Sequence, residues 1–214
     1  MKVGVLGSGA VAQALAAGFL KFGHQPMLGT RTPDKLAEWT AKNPGGRVGS
    51  VAEAAEFGAL VVLAVKGSAA ADVLRAAGEA NLDGKTVIDT TNPIADAPPV
   101  NGVLRFFTNL DESLLERLQR EFAGAHMVKA FNSVGYAFMV NPDFGAAKPT
   151  MFICGNDTGS KGIVHGILDQ FGWETADMGM AESARAIEPL CMFWCIPGFL
   201  RNDWAHAFKL LTKL

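Results

Sequence analysis

The stretch Lys2-Val3-Gly4-Val5-Leu6-Gly7-Ser8-Gly9-Ala10-Val11-Ala12 decides the fold. Val3, Val5 and Leu6 read as a short buried strand. A run rich in alanine and leucine, from Ala10 to about Phe22, reads as a helix. Strand, glycine turn and helix are the context that a dinucleotide fingerprint requires. Gly7 allows the tight turn, Gly9 leaves no Cβ between backbone and a pyrophosphate, and Ala12 lets the helix sit close to the strand. The first N–H groups of such a helix lack intrahelical partners, and its positive end favours an anion. Gly7, Ser8, Gly9, Ala10 and Val11 are therefore the expected pyrophosphate site. The alternative is an ordinary glycine-rich βα turn.

The next strand, His24 to Gly29, ends in Thr30-Arg31-Thr32. An NAD site usually places an acid here to hold the ribose 2′-hydroxyl. No acid is present. A carboxylate would repel a 2′-phosphate, whereas a guanidinium binds one through charge-assisted bonds and a hydroxyl adds a further donor. Thr30 and Arg31 thus point to NADP(H), with Lys35 one helical turn on as a second positive charge. The alternative is a solvated surface arginine.

Composition bounds the remaining choices. The chain has 214 residues, 49% of them hydrophobic, and a net charge of −2. That is enough apolar material for a core, and neither net charge nor any basic run suggests nucleic acid. The strand starting at residue 2 leaves no room for a signal peptide before it. No apolar run reaches the ~18–20 residues needed to span a bilayer. A cytoplasmic protein with no membrane partner is the expectation. Cys154, Cys191 and Cys195 are too few for a disulfide framework. Cys191 and Cys195 share a helix face and read as buried thiols rather than metal ligands, so no metal site is expected.

Helical and strand patterns alternate along the chain, as a parallel sheet covered by helices requires. The pattern predicts helices over 33–42, 51–57, 68–80, 111–122 and 160–171. It predicts strands over 47–49, 59–65, 86–89, 126–131, 150–154 and 173–176. Residues 93–108, with Pro93, Pro98 and Pro99, read as a loop on the ligand face. Ala181 to Leu214 reads as largely helical, broken near Ile196-Pro197-Gly198. The fold expected is α/β: a Rossmann-type doubly wound, mostly parallel sheet with a helical C-terminal extension. Residues 1–135 read as the NADP-binding part and 136–214 as a smaller α/β and helical part completing the cleft, with a soft boundary between about 132 and 150.

Ligands on such sheets bind outside the carboxyl ends of the strands, at the switch in strand order. Gly7 to Val11, Thr30-Arg31, Val65-Lys66, Thr91-Asn92-Pro93 and Ala130-Phe131-Asn132 should converge there. The nicotinamide belongs near the last three. Asn92 and Asn132 either bond its carboxamide or ribose, or satisfy local backbone as turn residues. His24, His126, His165 and His206 lie away from strand carboxyl ends, and Ser8 and Ser133 have no adjacent base. Lys129 lies near the ligand end of its strand with its orientation open. No catalytic residue is assigned. A site without an acid leans toward transfer between two cofactors, where the cofactor carries the chemistry.

With these segments placed, the chain resembles the NADPH-dependent coenzyme F420 reductases, and more distantly the NADPH-binding domains of six-transmembrane metalloreductases. The resemblance rests on Gly7-Ser8-Gly9-Ala10-Val11, Gly29-Thr30-Arg31, Val62-Leu63-Ala64-Val65, Asp89-Thr90-Thr91-Asn92-Pro93 and Val128-Lys129-Ala130-Phe131-Asn132. It extends to Cys154-Gly155-Asn156-Asp157 and Ala184-Arg185-Ala186-Ile187-Glu188-Pro189-Leu190. It implies a cleft holding NADP against a deazaflavin or flavin (F420, FMN or FAD), with Val65, Asn92 and Ala130 at the nicotinamide end. The helix around Cys195 to Pro197 would close the second-cofactor side. The family is often dimeric, and Met192-Phe193-Trp194 with Phe199 and Trp204 suit either a homodimer interface or the core. In place of the Pro-Trp that family members often carry after the fourth strand, this chain has Lys66-Gly67. The leading reading is hydride transfer between NADP(H) and a small-molecule flavin or deazaflavin acceptor. Reduction of a small imine or carbonyl, or a non-catalytic NADPH-binding module, are the alternatives.

Overall fold

The computed structural model describes residues 1–213. From the N-terminus run β1 (Lys2–Leu6), α1 (Ala10–Lys21), β2 (Gln25–Gly29) and a 3-10 turn, Pro33–Leu36, that passes into α2 (Ala37–Lys42). Then come β3 (Arg47–Gly49), α3 (Val51–Phe57), β4 (Leu60–Leu63), α4 (Ala70–Ala77), the short α5 (Glu79–Leu82) and β5 (Thr86–Asp89). After the 93–108 segment follow α6 (Leu114–Glu121), β6 (His126–Lys129), β7 (Thr150–Gly155), α7 (Thr158–Gln170), β8 (Glu174–Asp177) and α8 (Ala184–Arg201). The strands form one sheet in the order β3-β2-β1-β4-β5-β6-β7-β8. Neighbours are parallel except β6 and β7, which pair antiparallel through Val128 with Gly155 and Lys129 with Cys154. The strand order reverses between β1 and β4, which puts the ligand crevice above their carboxyl ends.

Side chains alternate across the sheet, as the pleat dictates. Val3, Val5, Leu60, Val62, Ile88 and Val128 join Leu15, Phe19, Phe171 and Trp173 in the core beneath α1 and α7. Leu6, Val61, Leu63, Val87 and Met127 join Ala54, Leu74, Leu115 and Ile187 in the core beneath α3, α4, α6 and α8. The central strands are thus apolar on both faces, which is why they read as near-continuous hydrophobic runs. Ser50 and Ser113 close capping boxes with Glu53 and Glu116 and fix the starts of α3 and α6. No helix among the described residues is long and apolar enough to cross a membrane.

The structure corrects three boundaries. The alanine-rich helix ends at Ala77, because Gly78 turns the chain at φ 86°, and α5 restarts at Glu79. The helix expected from Pro33 opens as a 3-10 turn, and the one expected from Asp111 begins at Leu114, after its Ser113 cap. The C-terminal expectation fails in a more instructive way. The chain does not break at Ile196-Pro197-Gly198: α8 runs unbroken through Pro189 and Pro197 to Arg201. Pro197 forfeits its ladder bond to the Phe193 carbonyl, and packing on the inner face outweighs that loss. Cys191, Trp194 and Gly198 are buried, and the Trp204 ring occupies the space beside Gly198. Asn202, left-handed at φ 55°, ends the helix. The following residues are not helical. They double back so that Trp194 Nε1 donates to the His206 carbonyl at 2.8 Å and Thr150 N to the Phe208 carbonyl at 2.9 Å. Leu214 lies outside the described residues. Of the aromatic residues on and just after α8, Trp194 is core, while Phe193, Phe199 and Trp204 are exposed.

One surface pair carries a pH signature. Arg185 on α8 donates to both carboxylate oxygens of Glu116 in the first turn of α6, with Nε at 3.0 and 3.1 Å. These bonds, with those from Ser113, hold the Glu116 carboxyl down at about 2. The pair therefore contributes stability above the ordinary glutamate range and loses it as pH falls from about 4.5 towards 2. Arg185→Ala should remove part of the acid dependence of urea midpoints in that window and leave the dependence above pH 6 unchanged.

Candidate functional site

The crevice forms where the first glycine turn meets the ends of β2, β4 and β5. It encloses about 1290 Å³, enough for a dinucleotide. Gly7, Ser8, Gly9, Ala10 and Val11 line one wall. Thr30 and Arg31 lie at one end, and Val65, Lys66, Thr90, Thr91 and Asn92 lie on the opposite side with the 94–98 loop.

The turn is built by backbone bonds. Gly7 N donates to the Gly29 carbonyl at 2.9 Å and Ala64 N to the Leu6 carbonyl at 2.9 Å. Gly7 has φ 142°, and a Cβ there would overlap the Ala64 carbonyl, so only glycine lets β1 and β4 approach this closely. No side chain caps α1 and no acid occupies its first turn. Its leading N–H groups thus open into the crevice as anion donors, which fits a pyrophosphate. Thr30 N is fixed to the Gly49 carbonyl at 3.0 Å, and the Thr30 hydroxyl accepts from Thr32 N at 3.1 Å. Arg31 projects beside them, exposed and without a side-chain partner among the described residues, which fits a 2′-phosphate. Lys35 is exposed in the following 3-10 turn and does not line the crevice.

The far side differs from a row of free polar groups. Asn92 lines the crevice, but its Nδ2 donates to the Asn132 carbonyl at 2.8 Å, and its Oδ1 accepts from Asn132 Nδ2 at 3.1 Å. Asn132 Nδ2 also donates to the Ile187 carbonyl at 3.0 Å. The two asparagines therefore tie the ends of β5 and β6 to each other and to α8. Ala130 is fully buried in the α1-side core, and neither it, Pro93 nor Asn132 lines the crevice. Phe131, between Ala130 and Asn132, is left-handed at φ 61°, an unusual state for a bulky residue. Lys66 is exposed at the crevice edge. A Cβ on Gly67 would overlap the Asn92 carbonyl, so there is no room at that position for the tryptophan of the related pattern.

Behind this wall lies a cluster that the sequence reading left unassigned. Lys129 is completely buried. Its Nζ sits 2.7 Å from Asp89 Oδ2 and 2.9 Å from Glu188 Oε1, and it donates to the Thr91 carbonyl at 2.8 Å. Burial pulls the pKa of this amine down; the two carboxylates more than reverse that and hold the ammonium firmly charged. Asp89 and Lys129 are register partners on adjacent strands. Glu188 comes from α8 and also accepts from Leu114 N at 2.9 Å and Leu115 N at 3.0 Å, at the start of α6.

Among the described residues no histidine, tyrosine or cysteine lines the crevice; the ionisable side chains on it are Arg31, Lys66, Asp72 and Asp96. Cys154, pushed up to about 12 by burial, is no nucleophile. Among the described residues no group of three His, Cys, Asp or Glu side chains is placed to hold a metal ion.

These features have counterparts in known proteins. The sequence pattern of the family described as "NADP oxidoreductase coenzyme F420-dependent" matches residues 2–93. A crystal structure of a protein assigned as an F420-dependent NADP reductase, from Arthrobacter sp. FB24, superposes with a TM-score of 0.93. It is 30% identical and covers 99% of this chain and 100% of that one. The metalloreductase STEAP3 of Rattus norvegicus is 28% identical over 204 residues, 93% of this chain but only 39% of that protein's length. An imine reductase from Streptomyces aurantiacus shares the fold, with a TM-score of 0.70 at 19% identity over 94% of this chain and 63% of that one. An uncapped helix after a glycine turn, an exposed arginine at the crevice end just after β2 and a full-length likeness at 30% identity converge on one assignment. The chain belongs to the coenzyme F420-dependent NADP oxidoreductase family and is a Rossmann-type, NADP-dependent oxidoreductase.

Proposed function

We propose that the protein transfers hydride between NADP(H) and a planar acceptor of the deazaflavin or flavin type. The crevice carries this reading: it offers an anion-binding turn, an exposed arginine and a long wall at the strand ends. Among the described residues no histidine, tyrosine or cysteine lines it, and its ionisable lining side chains, Arg31, Lys66, Asp72 and Asp96, are all exposed. Reduction of a carbonyl or imine usually adds a positioned proton donor to the hydride source. Transfer between two aligned rings needs mainly that both be held in register, because the cofactor supplies the hydride chemistry. The name given to the Arthrobacter relative favours F420 as the acceptor, with FMN and FAD as the other members of the class.

In this reading the chain's own residues bind and align. Ser8, Gly9, Ala10 and Val11 present backbone donors to the pyrophosphate, and Arg31 pairs with the 2′-phosphate. Val65, Thr91 and Asn92 form the wall beside the nicotinamide. The test is stopped-flow oxidation of NADPH against F420, FMN, FAD and a panel of small imines and carbonyls. The expected result is single-turnover oxidation by a deazaflavin or flavin and none by the panel. Turnover with imines or carbonyls alone would move the reading to a small-molecule reductase. Tight NADPH binding with no oxidation would move it to a binding module.

A further inference from the structure

Lys129 touches neither the crevice nor solvent, yet the ion pair it forms with Asp89 holds a residue of the crevice wall, Thr91. Asp89 Oδ1 accepts from Thr91 N at 2.8 Å, and Lys129 Nζ donates to the Thr91 carbonyl at 2.8 Å. Both backbone groups of Thr91 are thereby fixed by one buried ion pair. The Thr91 hydroxyl has no hydrogen-bond partner among the described residues, on a residue that lines the crevice with 2% exposure. The next residue, Asn92, is pinned through its amide to Asn132. Glu188 joins the same ammonium to α8 and to the first turn of α6. A cluster with one ammonium and two carboxylates is an expensive way to hold a loop, because each buried charge must recover a large desolvation cost. Such a cluster fixes one backbone geometry, because every member has a specified partner.

We propose that Lys129 is a positioning residue for the nicotinamide end of the bound cofactor: with Asp89 and Glu188 it holds Thr91 and Asn92 where the ring is aligned. This rests on the NADP reading above. It predicts a division within one ligand. The adenosine end, met by Ser8 to Val11 and Arg31, should be indifferent to the cluster, and the nicotinamide end should depend on it.

The test compares NADPH with 2′-phospho-ADP-ribose, which lacks the nicotinamide, on the full chain. Lys129→Met combined with Asp89→Asn and Glu188→Gln removes the ammonium without stranding a buried carboxylate. Circular dichroism and thermal melting establish that the variant is folded. The expected result is about tenfold weaker NADPH binding with the fragment within about threefold of wild type. Single-turnover NADPH oxidation at saturation should fall at least about tenfold, since misalignment acts on the reacting geometry. Equal weakening of both ligands would mean that the cluster only supports the fold, and no weakening of either would mean that it holds nothing the cofactor feels. Both overturn the proposal. If the triple variant does not fold, Asp89→Asn alone is read by the same criterion, since it leaves a neutral Lys129–Glu188 pair and faces an amide toward the ammonium. A wild-type protein that binds neither ligand would remove the cofactor reading itself, a failure distinct from the loss of the split.

Discussion

Lys129→Met should cost about 3–5 kcal/mol of folding stability, more than any surface change in the molecule. The methionine fits the aliphatic path of the lysine and creates no large cavity. The loss is electrostatic: Asp89 and Glu188, both buried, are left facing each other without the ammonium that sat 2.7 and 2.9 Å away. Glu188 keeps its two N–H donors from α6, and Asp89 keeps one from Thr91. Those bonds do not neutralise two charges in an interior of low dielectric. Urea unfolding of the single variant should show the full loss, and adding Asp89→Asn and Glu188→Gln should recover much of it. A single variant within about 1 kcal/mol of wild type would show that the cluster is already uncharged in the native protein.

Much of this fold was legible because the strands are short, apolar and separated by marked turns. The order from β1 to β6 follows from helical and strand patterns alone, and the crevice follows from the glycine turn and the rule that ligands sit at strand carboxyl ends. In the C-terminal segment, Pro197 beside Gly198 reads as a break and the chain beyond it as helical, whereas α8 passes through Pro197 and ends at Arg201. What keeps α8 continuous is tertiary: Trp194 and Gly198 pack against residues that return from beyond its end.

Asn92 and Asn132 were correctly placed after strands, but a pair bond across 40 positions leaves no local trace. The Lys129 cluster did leave one. Val87-Ile88-Asp89 and Met127-Val128-Lys129 are apolar runs on adjacent strands that end in opposite charges at the same register. Glu188 is an acid amid the apolar Ile187-Glu188-Pro189-Leu190-Cys191 run. Opposite charges closing neighbouring buried strands are more economically explained as partners than as independent surface residues. Why Phe131 adopts φ 61° follows from no pattern in the sequence. Phe131 directly precedes Asn132, whose amide pairs with Asn92.

Arg31 is the second large expectation and the most direct handle on the central claim. Its side chain stands at the end of β2, exposed, where the neighbouring backbone is already committed: Thr30 N to Gly49, and Thr32 N to the Thr30 hydroxyl. Among the described residues no side chain competes for the guanidinium, so its free energy is available to a 2′-phosphate through paired charge-assisted bonds. Removing it should cost about 1.5–3 kcal/mol of NADPH affinity. NADH carries no 2′-phosphate and gives the guanidinium nothing to lose.

The decisive measurement is calorimetric titration of wild-type protein and Arg31→Ala with NADPH and with NADH under one salt condition. The account predicts NADPH preferred by wild type, that preference largely abolished by the substitution, and NADH affinity nearly unchanged. Equal loss for both dinucleotides, or an unaltered preference for NADPH, would contradict it.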